Sequence, residues 1–419
     1  MIDRPPSVTG ITIDSDEVVR LACDLIAIES HSQAPGREAA IGRFLVAWFH
    51  ARGIEAELVP AIGDRANVVA RVSLGDTSHS HRALDEAKPG RTLLLNGHID
   101  TVPAGAMKAA FTPRIEGGVL RGRGACDMKA AVAAMACVLA ATARELPGTR
   151  LATPCARESI PLRGTLVFAG TVDEETGSLG VKRLVESGLK ADYAVVGEPT
   201  NLRAAIAHKG ACFIRIVLTG RGAHGSCPEK GVSAASYGAR IVTALEDELR
   251  PRLAKRTYPL LGASTISVGR ICGGTEPNIV AERCEIDVDR RTLPGEAGTV
   301  GEVQDVVAAI CDGVEGLTYE VYETERTSTV PHVALGISPD SSLALAAAAA
   351  CREASLPADP VGVTYWTDGA HLAANGIETL ILGPGDIADA HGPNDHVRVD
   401  DIIKAAEIYL RIAQELLHS

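Results

Sequence analysis

Thr92-Leu-Leu-Leu-Asn-Gly-His98-Ile-Asp100 runs from a tight apolar cluster into an imidazole and then a carboxylate. Its apolar part, Thr92–Leu95, reads as a short buried strand. Three more runs repeat the design. Leu166-Val-Phe-Ala-Gly-Thr-Val172 leads to Asp173-Glu174-Glu175, and Val195-Val-Gly197 leads to Glu198-Pro199. Leu380-Ile-Leu-Gly-Pro-Gly385 leads, after a short loop, to His391. Helical spacing occupies Asp16–Ile28, Gly36–Arg52, Met128–Leu146, Ser341–Glu353 and Asp400–Leu417, with further strand candidates at Asn67–Val72, Thr165–Ala169, Tyr193–Val196 and Thr379–Leu382. Strands that alternate with helices predict an α/β domain whose mostly parallel sheet is covered on both faces.

In such a sheet, sites form just beyond the C-terminal ends of the strands. That rule lines up His98, Glu174, Glu175, Glu198 and His391 along one edge. A fifth piece, Arg121-Gly-Arg-Gly-Ala-Cys-Asp127-Met-Lys129, is a Gly-rich turn that opens the long helix, and it lets Asp127 join them. The set offers imidazole and carboxylate and no thiolate. That chemistry suits zinc, cobalt or manganese and argues against an iron–sulfur or structural Cys–zinc site. Carboxylates gathered without a cation would repel one another, so the convergence itself points to metal.

The pattern changes near Ala207. Cys212–Leu218 alternates as a half-buried strand, Val232–Leu249 is helical, Thr265–Gly269 and Ala281–Asp289 are strands, and Val300–Cys311 is a second helix. This is the order of a split β-α-β, ferredoxin-like sandwich. The first pattern resumes after roughly Thr327. The expected organisation is a catalytic domain at 1–206 and 328–419, interrupted by a lid or dimerisation domain at 207–327.

Composition narrows the function. A chain of 419 residues exceeds one ordinary core. Aromatics are 3% and the net charge is −12, so neither base-stacking platforms nor a basic stripe for nucleic acid is present. Ten Cys are scattered singly with no C-x-x-C pair, which reads as reduced thiols in a cytoplasmic protein. Met1–Asp16 has no apolar stretch of a signal peptide, and Ala130–Ala143 reads as too short for a membrane span. Neither Gly117-Gly118 nor Gly122-x-Gly124 continues as a phosphate loop.

The blocks Gly97–Pro103, Gly122–Lys129, Asp173–Gly177, Gly197–Thr200 and Ala390–Asn394 resemble, in order and spacing, those of a two-metal hydrolase family. Its members include acetylornithine deacetylase, succinyl-diaminopimelate desuccinylase, aminoacylases and carboxypeptidases. The resemblance spans about residue 20 to the C-terminus. It implies that Asp127 bridges two divalent ions, most simply zinc, with cobalt or manganese as alternatives. It implies that His98 and Glu198 complete one ion and Glu175 and His391 the other. Asp100 then fixes the His98 imidazole, and Glu174 is the general base that takes a proton from the attacking water. In the inserted domain His224 resembles the histidine that donates to the oxyanion, often across a homodimer interface. Asn278 and either Arg290 or Arg291 resemble the groups that hold a substrate carboxylate. On a strand the two arginines face opposite ways, and Arg290 shares its face with Ile286 and Val288, so Arg291 is the expected ligand.

The implied reaction is cleavage of the amide bond of an N-acyl amino acid; a dipeptidase or carboxypeptidase with the same site is the alternative. A non-catalytic binding protein would have lost Glu174 or a metal ligand, and none is lost. Tyr365-Trp-Thr-Asp-Gly-Ala370 departs from the Thr-Glu-Ala-Pro-like block that acetylornithine deacetylases tend to carry. The resemblance therefore leaves the amino-acid component of the substrate open.

Overall fold

The computed structural model describes residues 11–75, 90–145 and 162–417. The polar stretch Asp76–Gly90 and the Pro-rich stretch Pro147–Pro161, whose composition reads as surface loops, lie outside the described residues apart from Gly90, as do residues 1–10. The chain divides into two compact units. The first comprises Met1–Ile206, Ile337–Val361 and Thr367–Ser419; the second comprises Ala207–Gly336 and Gly362–Trp366.

The first unit is built on a mixed sheet with a parallel centre. Its strands lie in the order Glu55–Ile62, Arg65–Leu74, Gly164–Thr171, Thr92–His98, Tyr193–Val196, Glu378–Ile381. Gly164–Thr171, Thr92–His98, Tyr193–Val196 and Glu378–Ile381 run parallel to one another. Leu93, Leu94, Leu95, Ala194 and Val195 are fully buried, as strands covered on both faces require. The edge departs from the sequence expectation. Glu55–Ile62 and Arg65–Leu74 form an antiparallel hairpin, and the second of these also pairs antiparallel with Gly164–Thr171. Glu55–Ile62 carries Pro60 and is largely open to solvent, so it lacks the apolar run that marks the central strands.

Helix Ala130–Arg144 packs against helices Ser15–Ala27 and Val399–Leu416 and against the central strands, and thirteen of its residues, Ala130–Thr142, are buried. Its Ala-rich composition permits this, since small side chains allow close approach on every side. The continuous segment Ala125–Arg144 is long and apolar enough to cross a bilayer, contrary to the sequence expectation, but Ala125–Thr142 is buried inside the unit. Two glycines make the approach possible. A Cβ on Gly97 would lie 2.6 Å from Met128 Cε, and one on Gly197 would lie 2.7 Å from the same atom. The start of the helix is thereby drawn onto the ends of the two strands that carry His98 and Glu198.

The second unit has an antiparallel sheet in the order Thr265–Gly273, Arg283–Thr292, Gly210–Thr219, Thr318–Glu323. Helices Ala234–Ala244 and Thr299–Cys311 cover one face over a core of Ile214, Ile216, Leu218, Ile286, Val303 and Val307. The first helix continues through a π-turn to Leu253. This is the split β-α-β arrangement. The described cysteines are free thiols.

Candidate active site

His98 ends its strand and is 2% exposed. Its Nδ1 lies 3.0 Å from the Asp100 carbonyl oxygen and 3.5 Å from Asp100 Oδ1. Since the carbonyl can only accept, Nδ1 carries a proton and Nε2 is the nitrogen that faces the site. Asp100 does more than steady this imidazole. Its Oδ1 accepts the Glu174 N–H at 3.2 Å and its Oδ2 the Glu175 N–H at 3.1 Å, so one carboxylate aligns both glutamates with His98. Glu174 and Glu175 sit on a tight turn that begins at Asp173 (φ 73°), whose carbonyl receives the Gly177 N–H at 2.9 Å. Asp127 and Met128 leave helical geometry just before helix Ala130–Arg144, which turns the Asp127 side chain toward the strand ends.

Asp127 organises the cluster. Its Oδ1 lies 2.8 Å from His98 Nε2, and its Oδ2 lies 3.1 Å from His391 Nε2. Glu198 Oε1 stands 3.7 Å from His98 Nε2, and Glu175 Oε2 stands 3.1 Å from His391 Nε2. Each oxygen of one carboxylate thus faces a different histidine, and each histidine has its own glutamate. Adjacent donors on a tetrahedral ion with bonds of ~2.0–2.1 Å are separated by roughly 3.3 Å, close to these spacings. Glu174 completes the group: its donor atom lies within 4.8 Å of those of His98 and Glu198.

The electrostatics fit cations. Burial pushes the carboxyls of Glu174 and Glu198 well above their ordinary value. His98 opposes the rise, while Asp368 and Glu175 add to it at Glu174 and Asp127 adds to it at Glu198. Burial also raises Glu175, against the pull of its hydrogen bond from His391. Burial works against charge on His98, but Glu198, Asp100 and Asp127 hold it well above the ordinary histidine range. Hydrogen bonds to Asp127 and Glu175 raise His391 to about 10. Asp127 is lowered: burial resists, and the bonds from His391 and His98 prevail. Four carboxylates face two imidazoles, a surplus of negative charge that two divalent ions would neutralise.

The description "Peptidase family M20/M25/M40" matches residues 94–415. The chain belongs to this family. An acetylornithine deacetylase of Myxococcus xanthus is 29% identical over 399 residues, 93% of this chain and 94% of the relative. The aminopeptidase PepT of Bacillus cereus superposes with a TM-score of 0.76 at 21% identity, covering 96% of this chain and 99% of that one. A dinuclear metal-binding peptidase of the M20 family from Bacillus subtilis superposes with a TM-score of 0.68 at 15% identity, over 96% and 98% of the two chains. As an M20/M25/M40 member the chain is a metal-dependent hydrolase of amide bonds.

The second unit holds the remaining predicted residues of this M20 chain. His224 is exposed, and its Nδ1 accepts the Ser226 N–H at 3.2 Å. The proton of the neutral ring therefore sits on Nε2, which is free to donate outward. Asn278 lies beside it: the Gly225 N–H donates to the Asn278 carbonyl at 2.7 Å, and His224 bridges to Ile279. Arg290 is fully buried and committed to Glu296, at 3.3 Å, and to the Thr265 carbonyl. Arg291 faces the other way and pairs with Asp289 at 2.9 Å. Arg291 is not near His224. Arg283 pairs with Thr219 and Arg291 with Ala211, so they stand at opposite ends of their strand, about 27 Å apart.

Sequence reasoning missed several supports. Asp368, 1% exposed, accepts the Thr171 hydroxyl at 2.8 Å, and burial pushes its carboxyl up to about 7. The Asp-Gly step within Tyr365–Ala370 was its only signal. Glu38 accepts the Asp173 N–H at 3.2 Å, and Arg65 joins Glu38 to Asp173, which it reaches at 2.9 Å. These two lie in no motif. The buried Lys129 amine donates to the Ile28 carbonyl at 2.7 Å, and burial brings it down to about 7.

Proposed function

We propose that the chain hydrolyses the amide bond of an N-acyl amino acid, in the manner of a deacetylase or desuccinylase. The observation that carries the reading is Asp127, with one oxygen toward His98 and the other toward His391. Asp127, His98 and Glu198 would hold one divalent ion, and Asp127, His391 and Glu175 the other. Zinc suits this donor set, and cobalt or manganese would also be accepted. When bound, such a pair supplies Lewis acidity for the scissile carbonyl and makes a water acidic near neutral pH.

The chain's own residues do the rest. Glu174 takes the proton of the attacking water and delivers it to the leaving nitrogen. Its upward-shifted carboxyl suits a group that must hold and release a proton. Asp100 keeps Glu174 and Glu175 in register with His98. His224 donates Nε2–H to the tetrahedral oxyanion, and Asn278 and Arg291 grip the substrate carboxylate. A small substrate cannot touch both ends of a ~27 Å strand. If His224, Asn278 and Arg291 serve one substrate, two copies of the chain must supply them, which supports a homodimer. Free thiols at the described cysteines fit a cytoplasmic, reducing compartment.

The likeness to the Myxococcus xanthus deacetylase, across nearly the whole of both chains, favours an acyl amino acid over a peptide. A panel of N-acetyl and N-succinyl amino acids, with dipeptides and tripeptides, tests this using zinc- or cobalt-loaded protein. The highest kcat/KM is expected on an N-acyl amino acid. A preference for peptides would replace this reading with a peptidase, and no hydrolysis of any amide by loaded protein would refute it.

A further inference from the structure

We infer that Arg123 and Asp395 are a positioning pair that sets the second ion's place through the backbone of His391, touching neither ion nor substrate. The inference rests on the two-metal reading above. Both residues are 1% exposed, and Arg123 Nη1 donates to Asp395 Oδ2 at 3.0 Å. A buried guanidinium needs little more than this carboxylate for its charge, yet its Nε and Nη2 N–H groups go to backbone carbonyls. Nε donates to Pro103 at 3.2 Å, and Nη2 donates to Ala104 at 3.1 Å, Gly392 at 3.1 Å and, more weakly, His391 at 3.4 Å.

Those carbonyls belong to two separate stretches of chain. Pro103 and Ala104 follow the strand end that carries His98 and Asp100. His391 and Gly392 form the loop whose imidazole reaches Asp127 and Glu175. Asp395 adds the third stretch: it accepts the Gly124 N–H at 2.8 Å and the Cys126 N–H at 2.9 Å, on the turn that delivers Asp127. The pair is therefore the buried crossing point of the segments that carry His98, Asp127 and His391, the last two being ligands of the second ion.

His391 needs such a device more than the other ligands do. His98 is anchored by its strand and by Asp100, whereas His391 sits in a loop with φ 61° and a half-exposed side chain. Among its described contacts, the backbone of this loop is tied to the sheet side through Arg123. Lysine at this position keeps a charge for Asp395 but has three donors on one flexible nitrogen, so it cannot span both pairs of carbonyls.

The test is cobalt titration of metal-free protein, read by calorimetry and by the visible absorption of bound Co2+, for wild type, Arg123→Lys and Arg123→Gln. Wild type is expected to bind two ions. Each variant is expected to keep one at wild-type affinity and to bind the second about 10–100-fold more weakly, the usual cost of losing an outer hydrogen-bond partner. The retained ion reports on the same molecules that the site is folded. Two ions at unchanged affinity in both variants would overturn the inference alone. So would equal weakening of both ions, which is what a general packing role produces. A wild-type chain that takes up no ion would overturn the two-metal reading and this inference with it.

Discussion

Replacing Asp100 by Asn changes one oxygen into an NH2 and little else. Asp100 is 3% exposed, and its two oxygens separately accept the Glu174 and Glu175 N–H groups at 3.2 and 3.1 Å. An amide can serve only one of them, and its NH2 must face the other. A hydrogen bond to a charged acceptor contributes about 1.5–3 kcal/mol, and a buried N–H left without a partner costs about 1–3 kcal/mol. Both glutamates are half-buried, so water recovers part of this, and a net loss of about 2 kcal/mol is expected for Asp100→Asn in denaturant unfolding of the metal-free protein. The function should suffer as well. The orphaned N–H will move toward water and carry Glu174 or Glu175 with it, and a displacement of ~1 Å at a reacting group costs roughly a hundredfold. kcat/KM at saturating metal should fall by about 10–100-fold. Stability within about 0.5 kcal/mol of wild type, with turnover within about twofold, would show that Asp100 does not align the two glutamates.

Glu174→Gln should keep both ions and the fold while turnover drops by about three decades or more, measured with metal content on the same sample; near-normal turnover would place the proton transfer elsewhere. His224→Ala should lower kcat more than it raises KM, and Arg291→Ala should mainly raise KM, in steady-state assays on the best substrate of the panel. Mixing inactive Glu174→Gln chains with inactive His224→Ala chains should restore activity once subunit exchange is verified, and no recovery would put His224 in its own chain's site or in none. Burial brings His208 down to about 4, so the fold excludes a proton that the unfolded chain accepts below about 6.5. Its contribution is therefore complete above pH 6.5 and is lost as pH falls toward 4, by about 1.4 kcal/mol per unit. His208→Gln should flatten that part of the stability profile in denaturant titrations; an unchanged slope would mean that His208 does not titrate as buried.

The central strands were readable because their apolar runs end abruptly in His98, Glu174-Glu175 and Glu198, and burial on both faces demands such runs. The antiparallel edge was not, because Glu55–Ile62 is solvated, carries Pro60 and shows no clean alternation. The clustered side chains were legible as types, since few chemistries need imidazole and carboxylate at successive strand ends. The division of Asp127 between His98 and His391 required coordinates. Arg123, Asp395 and Glu38 act through backbone groups distant in sequence, and Arg65 through the carboxylates of Glu38 and Asp173; a lone charge does not announce which distant group it will meet. Arg290 and Arg291 show the reverse case: strand alternation alone separates the buried arginine from the available one.

The account rests on two ions sharing Asp127, and anomalous diffraction from zinc-loaded crystals tests it most directly. Two peaks about 3.5–4 Å apart are expected, one between Asp127 and His98 and the other between Asp127 and His391. A single peak, or ions bound away from Asp127, would contradict it.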